Sequence, residues 1–314
     1  MSTTKAAPLE PTPEALANPV KRYLLATRPA FLTIALAGCL LGFATALEAA
    51  FSWPLALLTL LLAVAAQAGV NVFNDYYDHL NGTDEVNVDR LFPFTGGSRF
   101  IQNRVMSPRQ TLFYALMLFA GVIAGGLWLI ETRGGGLFWI GLAGLLIGWA
   151  YSAPPLKLNS RGLGEACVAA GFLLIVAGAD FVQRGAFSPA PWLIGLPYAL
   201  LVTNILYINQ FPDRAADIQA GKLHWVARLE PNVASRGYWL ILLLAALALL
   251  WLVAGGWLPA LALVSLLALL PALKAGQLLA RHAAEPAKLA PALQLTIVAA
   301  HLQPVLLGLV LALG

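Results

Sequence analysis

Residues 54–78 read PLALLTLLLAVAAQAGVNVFNDYYD, an apolar run that passes directly into a segment rich in asparagine and aspartate. The run reaches the length of about 20 mainly apolar residues that one α-helix needs to cross a bilayer. In a continuing helix Asn71, Asp75 and Asp78 share one face. The stretch therefore predicts a membrane-spanning helix whose end presents a stripe of oxygen ligands.

The apolar character extends over the whole chain. Of its 314 residues 60% are hydrophobic and only 11% are charged, and the mean hydropathy is +0.77. A soluble domain carries about a quarter charged residues, so lipid is the predicted solvent for most of this protein. The net charge of +4 does not indicate nucleic acid as a partner, because no run of lysine or arginine follows a phosphate backbone.

Apolar segments near spanning length recur between polar stretches along the chain. We count nine of them, at residues 29–47, 54–74, 111–130, 136–151, 164–182, 191–211, 236–253, 257–279 and 290–313. The predicted fold is therefore all-α, with nine transmembrane helices around a central cavity that opens to the cytoplasmic side. Residues 21–314 are predicted to form this single domain, and the Pro/Ala-rich residues 1–20 a disordered cytoplasmic tail.

The distribution of basic residues predicts the orientation in the membrane. With nine spans and a cytoplasmic N-terminus, 17 of the 19 lysines and arginines fall on the cytoplasmic side, and only Arg133 and Arg184 fall outside. Cytoplasmic loops near spanning helices are enriched in these residues, so the split supports this topology, with the C-terminus on the opposite side. The long connections are then all cytoplasmic, and we expect the active site to open to the cytoplasm.

Acidic residues are concentrated in the segments that directly follow two of the predicted helices. The chain has 15 acidic residues, and seven of them follow the second and the sixth predicted spans, namely Asp75, Asp78, Asp84, Glu85, Asp89, Asp213 and Asp217. In the second of these segments Asn209, Asp213 and Asp217 repeat at steps of four and share one helix face. Same-topology helices would bring both acidic ends to one face of the membrane.

Clustered carboxylates at helix C-terminal ends are unfavourable without a cation, because they repel one another and the helix end is itself negative. Mg²⁺ takes oxygen ligands and commonly uses one or two carboxylates together with water and substrate phosphates. The two segments are therefore predicted to form one Mg²⁺–diphosphate site. The alternative is that their acidic residues are ordinary solvated loop charges. The predicted metal ligands are Asn74, Asp75, Asp78, Asp213 and Asp217.

Four basic residues on the same side could donate hydrogen bonds to diphosphate oxygens, namely Lys157, Arg161, Lys222 and Arg99. An ordinary role as positive-inside charges is the alternative for each of them. The turn Gly96-Gly97-Ser98 before Arg99 permits a close backbone approach to an anion. Candidates to line a substrate cavity are Asn71, Asn209, Tyr151 and Tyr207, although core packing is the alternative for the tyrosines.

Three ordered motifs resemble those of the UbiA superfamily of intramembrane aromatic prenyltransferases. They are the Asn-Asp-x-x-Asp segment at residues 74–78, the Tyr-Ser-x-Pro-Pro-x-Lys…Arg-Gly-Leu-Gly-Glu loop at 151–165, and the Asp-x-x-x-Asp segment at 213–217 followed by Gly221-Lys222. The resemblance implies Mg²⁺-dependent transfer, with two ions, of a polyprenyl group from an allylic polyprenyl diphosphate to an aromatic acceptor. It also implies that Asp75, Asp78, Asp213 and Asp217 are catalytic and that the prenyl tail lies along helix faces open to membrane lipid.

Within this family, residues 74–84 are similar to the 1,4-dihydroxy-2-naphthoate type of the menaquinone pathway. Benzoate-type members usually carry an aspartate four residues after the second one, where this chain has Gly82, with Asp84 two residues further on. The resemblance therefore implies that the acceptor is 1,4-dihydroxy-2-naphthoate, which loses its carboxylate in the reaction. It also implies a role in quinone biosynthesis and a location in a bacterial inner membrane. The run after Lys222 departs from the naphthoate pattern, so 4-hydroxybenzoate and homogentisate remain alternative acceptors.

Two other classes of function remain open from the sequence. A membrane terpene cyclase would share the diphosphate site without an aromatic acceptor, and a transporter would use the acidic residues as gates. Transporters place ionisable residues near the bilayer midplane, whereas these acids cluster at the predicted cytoplasmic edge. The roles of Asp84 and Asp89 are left open.

Overall fold

The computed structural model describes residues 10–313 and, within that range, contains α-helices, three short 3-10 helices and no β-strand. The helices of the first half are α1 (Pro19–Ala26), α2 (Pro29–Thr45), α3 (Trp53–Asn81), α4 (Thr83–Val86), α5 (Pro108–Arg133), α6 (Gly136–Ser152) and α7 (Gly164–Arg184). Those of the second half are α8 (Ala190–Ile194), α9 (Leu196–Gln219), α10 (Trp225–Arg228), α11 (Pro231–Ala254), α12 (Leu269–His282) and α13 (Ala290–Leu313). The 3-10 helices are Leu158–Arg161, Ala260–Ala268 and Pro286–Lys288.

Six helical segments among the described residues are long and apolar enough to cross a membrane, so the protein is an integral membrane protein. They are α3, α5, α7, α11, the continuous segment Ala260–His282, and α13. The pair α1–α2, which is bent by 62°, becomes a seventh span if the two helices are taken together. The predicted all-α membrane fold is confirmed, whereas the count of nine spans stays a prediction.

Two of the nine predicted spans correspond to helices outside both these six and the α1–α2 pair. Helix α6 has only 17 residues. Helix α9 has 24 residues but carries Asn204, Asn209 and Asp213, which lower its hydropathy. The polar side chains of α9 are therefore the reason why length and composition alone do not mark it as a span.

Helix boundaries follow the local sequence. A proline occupies the first or second position of α2, α3, α5, α9 and α11, where its missing N–H removes no helical hydrogen bond. Helix α3 ends at Gly82, which has φ 76° and is the C-cap of α3 and the N-cap of α4. Because this left-handed conformation suits glycine, the chain can reverse there and bring α4 back against the end of α3.

The core joins the first and second halves of the chain. Gly42 of α2 lies against α7 so closely that a Cβ at this position would stand 2.3 Å from the carbonyl oxygen of Val176. Tyr198 of α9 is fully buried and donates a hydrogen bond of 2.7 Å to the carbonyl of Ile34. Helices α2, α7 and α9 thus form one packed unit, on which the ends of α3 and α9 are held in position.

The N-terminal segment differs from the predicted tail over residues 1–20, of which residues 1–9 lie outside the described part. The Glu10 carboxylate accepts hydrogen bonds from Arg90 (2.7 Å) and Asn103 (3.1 Å). Leu16 is 2% exposed and packs in an apolar cluster with Phe100. Residues 10–18 therefore contact the 90–103 loop, an arrangement that the Pro/Ala-rich composition did not indicate.

Candidate active site

The two acidic helix ends meet at Lys222. Its ammonium nitrogen lies 2.7 Å from Oδ1 of Asp78, at the end of α3, and 3.7 Å from Oδ1 of Asp217, at the end of α9. All three side chains are buried. Burial alone lowers the pKa of Lys222, but the two carboxylates raise it overall, so the ammonium stays charged. The structure thus brings the two predicted motifs together around one buried cation.

The 87–99 loop supplies hydrogen bonds to the other two aspartates. The amide nitrogen of Ser98 lies 3.3 Å from both carboxylate oxygens of Asp75. Asp213 accepts hydrogen bonds from the amide of Gly96 (3.2 Å) and the side chain of Asn87 (2.7 Å). The predicted close approach of the glycine turn to an anion is present, and the anions are the protein's own carboxylates.

Asp84 belongs to the same site, although the sequence assigned it no role. It is 3% exposed, and a Cβ on Gly97 would stand 2.9 Å from Oδ2 of Asp84 and 3.1 Å from Oδ1 of Asp75. Burial, followed by the negative charges of Asp78 and Asp75, raises the pKa of Asp84 well above its usual value. Asp89, in contrast, is exposed to solvent. The signal for Asp84 was its place in the acidic run, two residues beyond Gly82.

The donor set fits a hard cation that is bound together with a diphosphate. Among the described residues, the buried side-chain oxygens without a hydrogen-bond partner include Oδ2 of Asp84, Oδ1 of Asn87 and Oδ1 of Asn209. Within residues 10–313, however, no three His, Cys, Asp or Glu side chains converge as a metal cage. Mg²⁺ usually keeps water and substrate phosphates among its ligands, so an open set of oxygens is compatible with it.

Three of the four predicted diphosphate donors have other partners. Lys157 donates to the side chain of Asn81 at 2.6 Å, and the exposed Arg161 donates to the carbonyl of Pro155 at 2.8 Å. Arg99 is buried and donates to the backbone carbonyl of Asp84. Among the ion pairs of the described residues, Lys222 is the predicted donor that contacts the carboxylates of the two motifs.

Arg28 and His224 also reach this site, and no motif in the sequence pointed to them. Arg28 joins α1 to α2 with a φ of 59°, and its charge acts on Asp75 and Asp78. Nε2 of His224 lies 2.9 Å from Asp217, and Nδ1 of His224 accepts the amide of Ala227. The acceptor role of Nδ1 places the ring hydrogen on Nε2, so the neutral imidazole donates to Asp217.

A cavity of about 450 Å³ lies between α3, α5, α6 and α7. Asn71, Asn74, Tyr151 and Arg28 line its polar end, and apolar side chains line the rest. Of the two other predicted cavity residues, Asn209 donates to the carbonyl of Phe94 at 3.4 Å, and Tyr207 is buried in the core. Because Asn71 and Asn74 lie on α3 four residues before Asp75 and Asp78, the polar end of the cavity adjoins the acidic site.

Helix α5 forms the outer wall of this cavity. Ile123 and Leu127 of α5 and Phe138 of α6 line the cavity and are also 44–57% exposed on the outer surface. The cavity therefore opens sideways between α5 and α6. At the far end, Arg133 donates hydrogen bonds of 2.6 Å to the carbonyls of Val182 and Gln183, which joins the end of α5 to the end of α7.

Tyr207 was predicted as a cavity residue, and the structure places it in the core instead. It is 4% exposed and donates a hydrogen bond of 2.8 Å to the carbonyl of Ala234 in α11. Gly237 makes room for the ring, since a Cβ there would stand 2.0 Å from the tyrosine oxygen. The orientation of α9 against α11 thus decides the role of Tyr207, and this packing is not visible in the sequence of α9.

Comparison with known proteins links this architecture to one family. The model of the UbiA prenyltransferase family matches residues 35–298. The chain is 28% identical to 1,4-dihydroxy-2-naphthoate octaprenyltransferase of Mycobacterium leprae over 66% of this chain and 69% of that relative.

Two solved structures share the fold. The apo structure of a UbiA homologue from Aeropyrum pernix K1 superimposes with a TM-score of 0.63 at 19% identity, over 94% of this chain and 98% of that one. A UbiA homologue from Archaeoglobus fulgidus bound to GPP and Mg²⁺ gives a TM-score of 0.55 at 16% identity, over 91% of this chain and 99% of that one. At these identities the two structures establish the similarity of the fold.

Proposed function

The chain belongs to the UbiA prenyltransferase family, and from this premise we propose that it transfers a polyprenyl group from an allylic polyprenyl diphosphate to 1,4-dihydroxy-2-naphthoate, with loss of the carboxylate, in quinone biosynthesis. The observation that carries the proposal is the meeting of Asp78 and Asp217 at Lys222, beside the polar end of an apolar cavity. Family membership favours a transferase over the transporter that the sequence left open.

Two observations support a naphthoate acceptor. The Mycobacterium leprae relative is a 1,4-dihydroxy-2-naphthoate octaprenyltransferase. The first acidic motif has the spacing of the naphthoate type, and Asp84, the residue that defines this spacing, is buried beside Asp75. 4-Hydroxybenzoate and homogentisate are the competing acceptors.

We propose that Mg²⁺, as two ions, is bound by oxygens of Asn74, Asp75, Asp78, Asp84, Asp213 and Asp217. The unpartnered oxygens of Asp84, Asn87 and Asn209 support a cation in this region, and the Archaeoglobus fulgidus homologue binds Mg²⁺ together with GPP. When bound, Mg²⁺ supplies electrostatic stabilisation of the charge that develops on the diphosphate.

The protein's own residues then have separate roles. Lys222 and Arg28 place positive charge beside the departing diphosphate. The bond between the allylic carbon and the diphosphate oxygen breaks, and its electron pair stays on the diphosphate. The ring carbon that bears the carboxylate forms the new bond to the allylic carbon. Its bond to the carboxylate carbon then breaks, the electron pair of that bond restores the aromatic ring, and CO₂ leaves. The ring of Tyr151 at the cavity wall stabilises the allylic cation by cation–π attraction.

The apolar cavity accounts for the tail of the donor in this proposal. Its lateral opening between α5 and α6 lets an isoprenoid chain continue into lipid. We propose that the enzyme lies in a bacterial cell membrane with nine spans, a cytoplasmic N-terminus and the acidic site on the cytoplasmic side. The basic residues support this topology, because it places 17 of the 19 lysines and arginines on the cytoplasmic side.

The direct test is to incubate the purified protein with Mg²⁺, a polyprenyl diphosphate and each of the three acceptors, followed by mass analysis. We expect decarboxylated prenyl naphthalenediol as the main product. Product with 4-hydroxybenzoate or homogentisate alone would replace the naphthoate assignment. A prenyl-derived hydrocarbon formed without any acceptor would instead indicate a terpene cyclase.

The acidic site has its own test. Asp78→Ala and Asp213→Ala are expected to abolish Mg²⁺-dependent transfer while the protein still inserts into membranes, because each change removes a carboxylate of the site. Asp89→Ala is the matched control, since Asp89 is exposed in the same acidic run. Full activity of either site variant contradicts the proposal.

A further inference from the structure

Glu10 of the N-terminal segment contacts two arginines in the loop of residues 87–103. Its Oε1 pairs with Nη2 of Arg90 at 2.6 Å and accepts a hydrogen bond of 2.7 Å from Nε of the same guanidinium. Its Oε2 accepts a hydrogen bond of 3.1 Å from Asn103 and lies 4.0 Å from Nε of Arg99. One carboxylate is thus shared between two guanidinium groups.

Arg90 connects this contact to the second acidic motif. Its Nη1 donates to the carbonyl of Asn87, whose side-chain amide donates in turn to Oδ1 of Asp213 at 2.7 Å. Arg90 also packs on Gly96, where a Cβ would stand 2.7 Å from the Cβ of Arg90. The amide of Gly96 donates to Oδ2 of Asp213 at 3.2 Å. Both of these hydrogen bonds to Asp213 therefore depend on where Arg90 is held.

Arg99 makes the corresponding contact with the first acidic motif. It is buried, and its Nη1 donates to the backbone carbonyl of Asp84. The carboxylates of Asp84 and Asp75 both lie against Gly97. Arg99 therefore fixes the backbone of a residue whose carboxylate faces the acidic site.

The two arginines repel each other and need an anion between them. Burial, followed by the positive charge of Arg90, lowers the pKa of Arg99, and the charges of nearby carboxylates, Glu10 among them, act in the opposite direction. Burial raises the pKa of Glu10, but its bonds from Asn103 and Arg90 lower the pKa overall. Glu10 is therefore ionised at neutral pH and is a counter-charge for both guanidinium groups.

The path from Glu10 ends at a buried oxygen that lacks a partner. Among the described residues, Oδ1 of Asn87 is one of the buried side-chain atoms without a hydrogen-bond partner. It belongs to the same amide whose nitrogen bonds to Asp213. A water of a hydrated cation at Asp213 would supply the missing donor. The side chain that Arg90 positions is thus suited to the surroundings of a cation.

We propose that Glu10 is a positioning residue for the Mg²⁺–diphosphate site and acts through Arg90 and Arg99. This inference rests on the proposed function. Glu10 precedes residues 35–298, which the family model matches, so the family match assigns it no role. Mg²⁺ demands near-ideal octahedral geometry, and groups that orient its ligands tune its affinity. Loss of the Glu10 charge therefore weakens cation binding more than it slows the chemical step.

Cation binding is measured without turnover on the full-length protein in detergent. The probe is Mn²⁺, which takes the same oxygen ligands as Mg²⁺, added with inorganic diphosphate, and free Mn²⁺ is followed by electron paramagnetic resonance. We expect Glu10→Gln to weaken Mn²⁺ binding roughly tenfold, as is typical when a group that orients metal ligands is lost. Glu14→Gln is the matched control, because it makes the same change at an exposed residue of the same segment.

Arg90→Lys tests the path from Glu10 to the site. Lysine keeps the positive charge beside Glu10, but its ammonium lacks the planar fork that reaches the carboxylate and the carbonyl of Asn87 together. We expect Mn²⁺ binding to weaken as in Glu10→Gln. The double variant is expected to lose little more, because both changes interrupt one path. Fully additive losses would contradict a shared path.

Leu16→Ala measures what a loosened N-terminal segment does by itself. Leu16 is 2% exposed and packs in an apolar cluster with Phe100. We expect this variant to lower the melting temperature and to bind Mn²⁺ as the wild-type protein does. If it weakens Mn²⁺ binding as much as Glu10→Gln, the stability of the segment controls the site, and the role of Glu10 is refuted.

The transfer assay gives a second readout. In Glu10→Gln the Mg²⁺ concentration for half-maximal rate is expected to rise roughly tenfold, in step with the Mn²⁺ result. The kcat at saturating Mg²⁺ is expected to stay close to that of the wild-type protein. A lower kcat with an unchanged Mg²⁺ requirement would overturn the inference.

The outcomes separate the two proposals. If prenyl transfer occurs but Glu10→Gln binds Mn²⁺ as tightly as the wild-type protein, the positioning role is refuted and the proposed function stands. If Mn²⁺ binding depends on Glu10 but no prenyl group is transferred to any acceptor, the proposed function fails and the positioning role of Glu10 at a cation site stands.

Discussion

At the scale of single residues, Lys222 is the positive charge that lies between the two acidic motifs. It pairs with Asp78 at 2.7 Å and with Asp217 at 3.7 Å, and all three groups are buried. Removing one partner of a buried ion pair leaves the other charge uncompensated in a medium of low polarity. Lys222 is therefore needed for stability before any substrate binds.

We expect Lys222→Met to lower the free energy of unfolding by roughly 3–5 kcal/mol, because two buried carboxylates lose their counter-ion. Added Mg²⁺ is expected to raise the melting temperature of this variant more than that of the wild-type protein, since the cation replaces the missing charge. Thermal unfolding in detergent measures both effects. Lys157→Met is the control, and equal Mg²⁺ responses in all three proteins would contradict the prediction.

Gly97 and Gly82 allow a matched pair of substitutions. Both have positive φ, 71° and 76°, but only a Cβ at Gly97 meets the carboxylates of Asp84 and Asp75. Alanine costs about 1–2 kcal/mol of backbone strain at either position. We expect Gly97→Ala to lower kcat/KM up to about a hundredfold by displacing site oxygens. Gly82→Ala is expected to lower the stability without lowering kcat/KM, and a similar loss of kcat/KM in both variants would contradict the prediction.

The residues that the sequence located are those whose position follows from a local pattern. Asp75 and Asp78 lie where a long apolar run ends, and the structure brings them to the second acidic end as the topology argument expected. Arg28 and His224 were missed because each is a lone polar residue whose contact with the site depends on the bend between α1 and α2 or on the turn after α9. The sequence contains no periodic signal for either.

At the scale of elements, the 152–163 loop contacts both the end of α3 and the segment after α9, at the end of the molecule that faces the cytoplasm in the predicted topology. Lys157 bonds to Asn81 after the first acidic motif, while the carbonyls of Ser160 and Gly162 accept hydrogen bonds from Leu223 (2.9 Å) and Trp225 (2.8 Å). The loop thereby ties the end of α3 to the segment after α9. These contacts hold the two acidic ends at a fixed separation.

A double-mutant cycle tests this role of the loop. We expect Lys157→Met and Asn81→Ala to be non-additive, with a coupling of roughly 0.5–1.5 kcal/mol in unfolding free energy, because they remove the same hydrogen bond. The KM for the donor is expected to change little in either variant. If Lys157 instead bound the diphosphate, its substitution would raise that KM and would be additive with the asparagine change.

The helices themselves could be predicted more completely than the loops between them. Helices α3, α5, α7, α11 and α13 follow from apolar runs, since a lipid environment imposes a simple length rule. The hydrogen bonds of Lys157 to Asn81 and of Arg161 to Pro155 could not be predicted from the sequence, because they depend on how the loop folds. The ordered residues 10–18 were missed for the same reason, as their contacts lie 80 or more residues away.

At the scale of the whole molecule, the apolar cavity between α3, α5, α6 and α7 is proposed to select the prenyl donor by the space that it offers. Gly144 lines it, and a Cβ there would meet nothing within 4 Å. We expect Gly144→Leu to fill this space and to raise the KM for long donors more than for geranyl diphosphate. Gly121→Leu is the control, since Gly121 also has free space but lies outside the cavity lining. Equal KM changes for all donor lengths would contradict this role.

The bond from Arg133 to the end of α7 has a consequence for the choice of donor. It joins α5 to α7 at Val182, which lines the far end of the apolar cavity. If this cavity binds the donor as proposed, a tail longer than the cavity leaves between α5 and α6 and is dissolved by the bilayer. The protein can then discriminate among donors only over the isoprene units that it encloses. Cells that make quinones with different tail lengths could use the same enzyme, and the donor-synthesising enzyme, rather than this one, would set the length of the final tail.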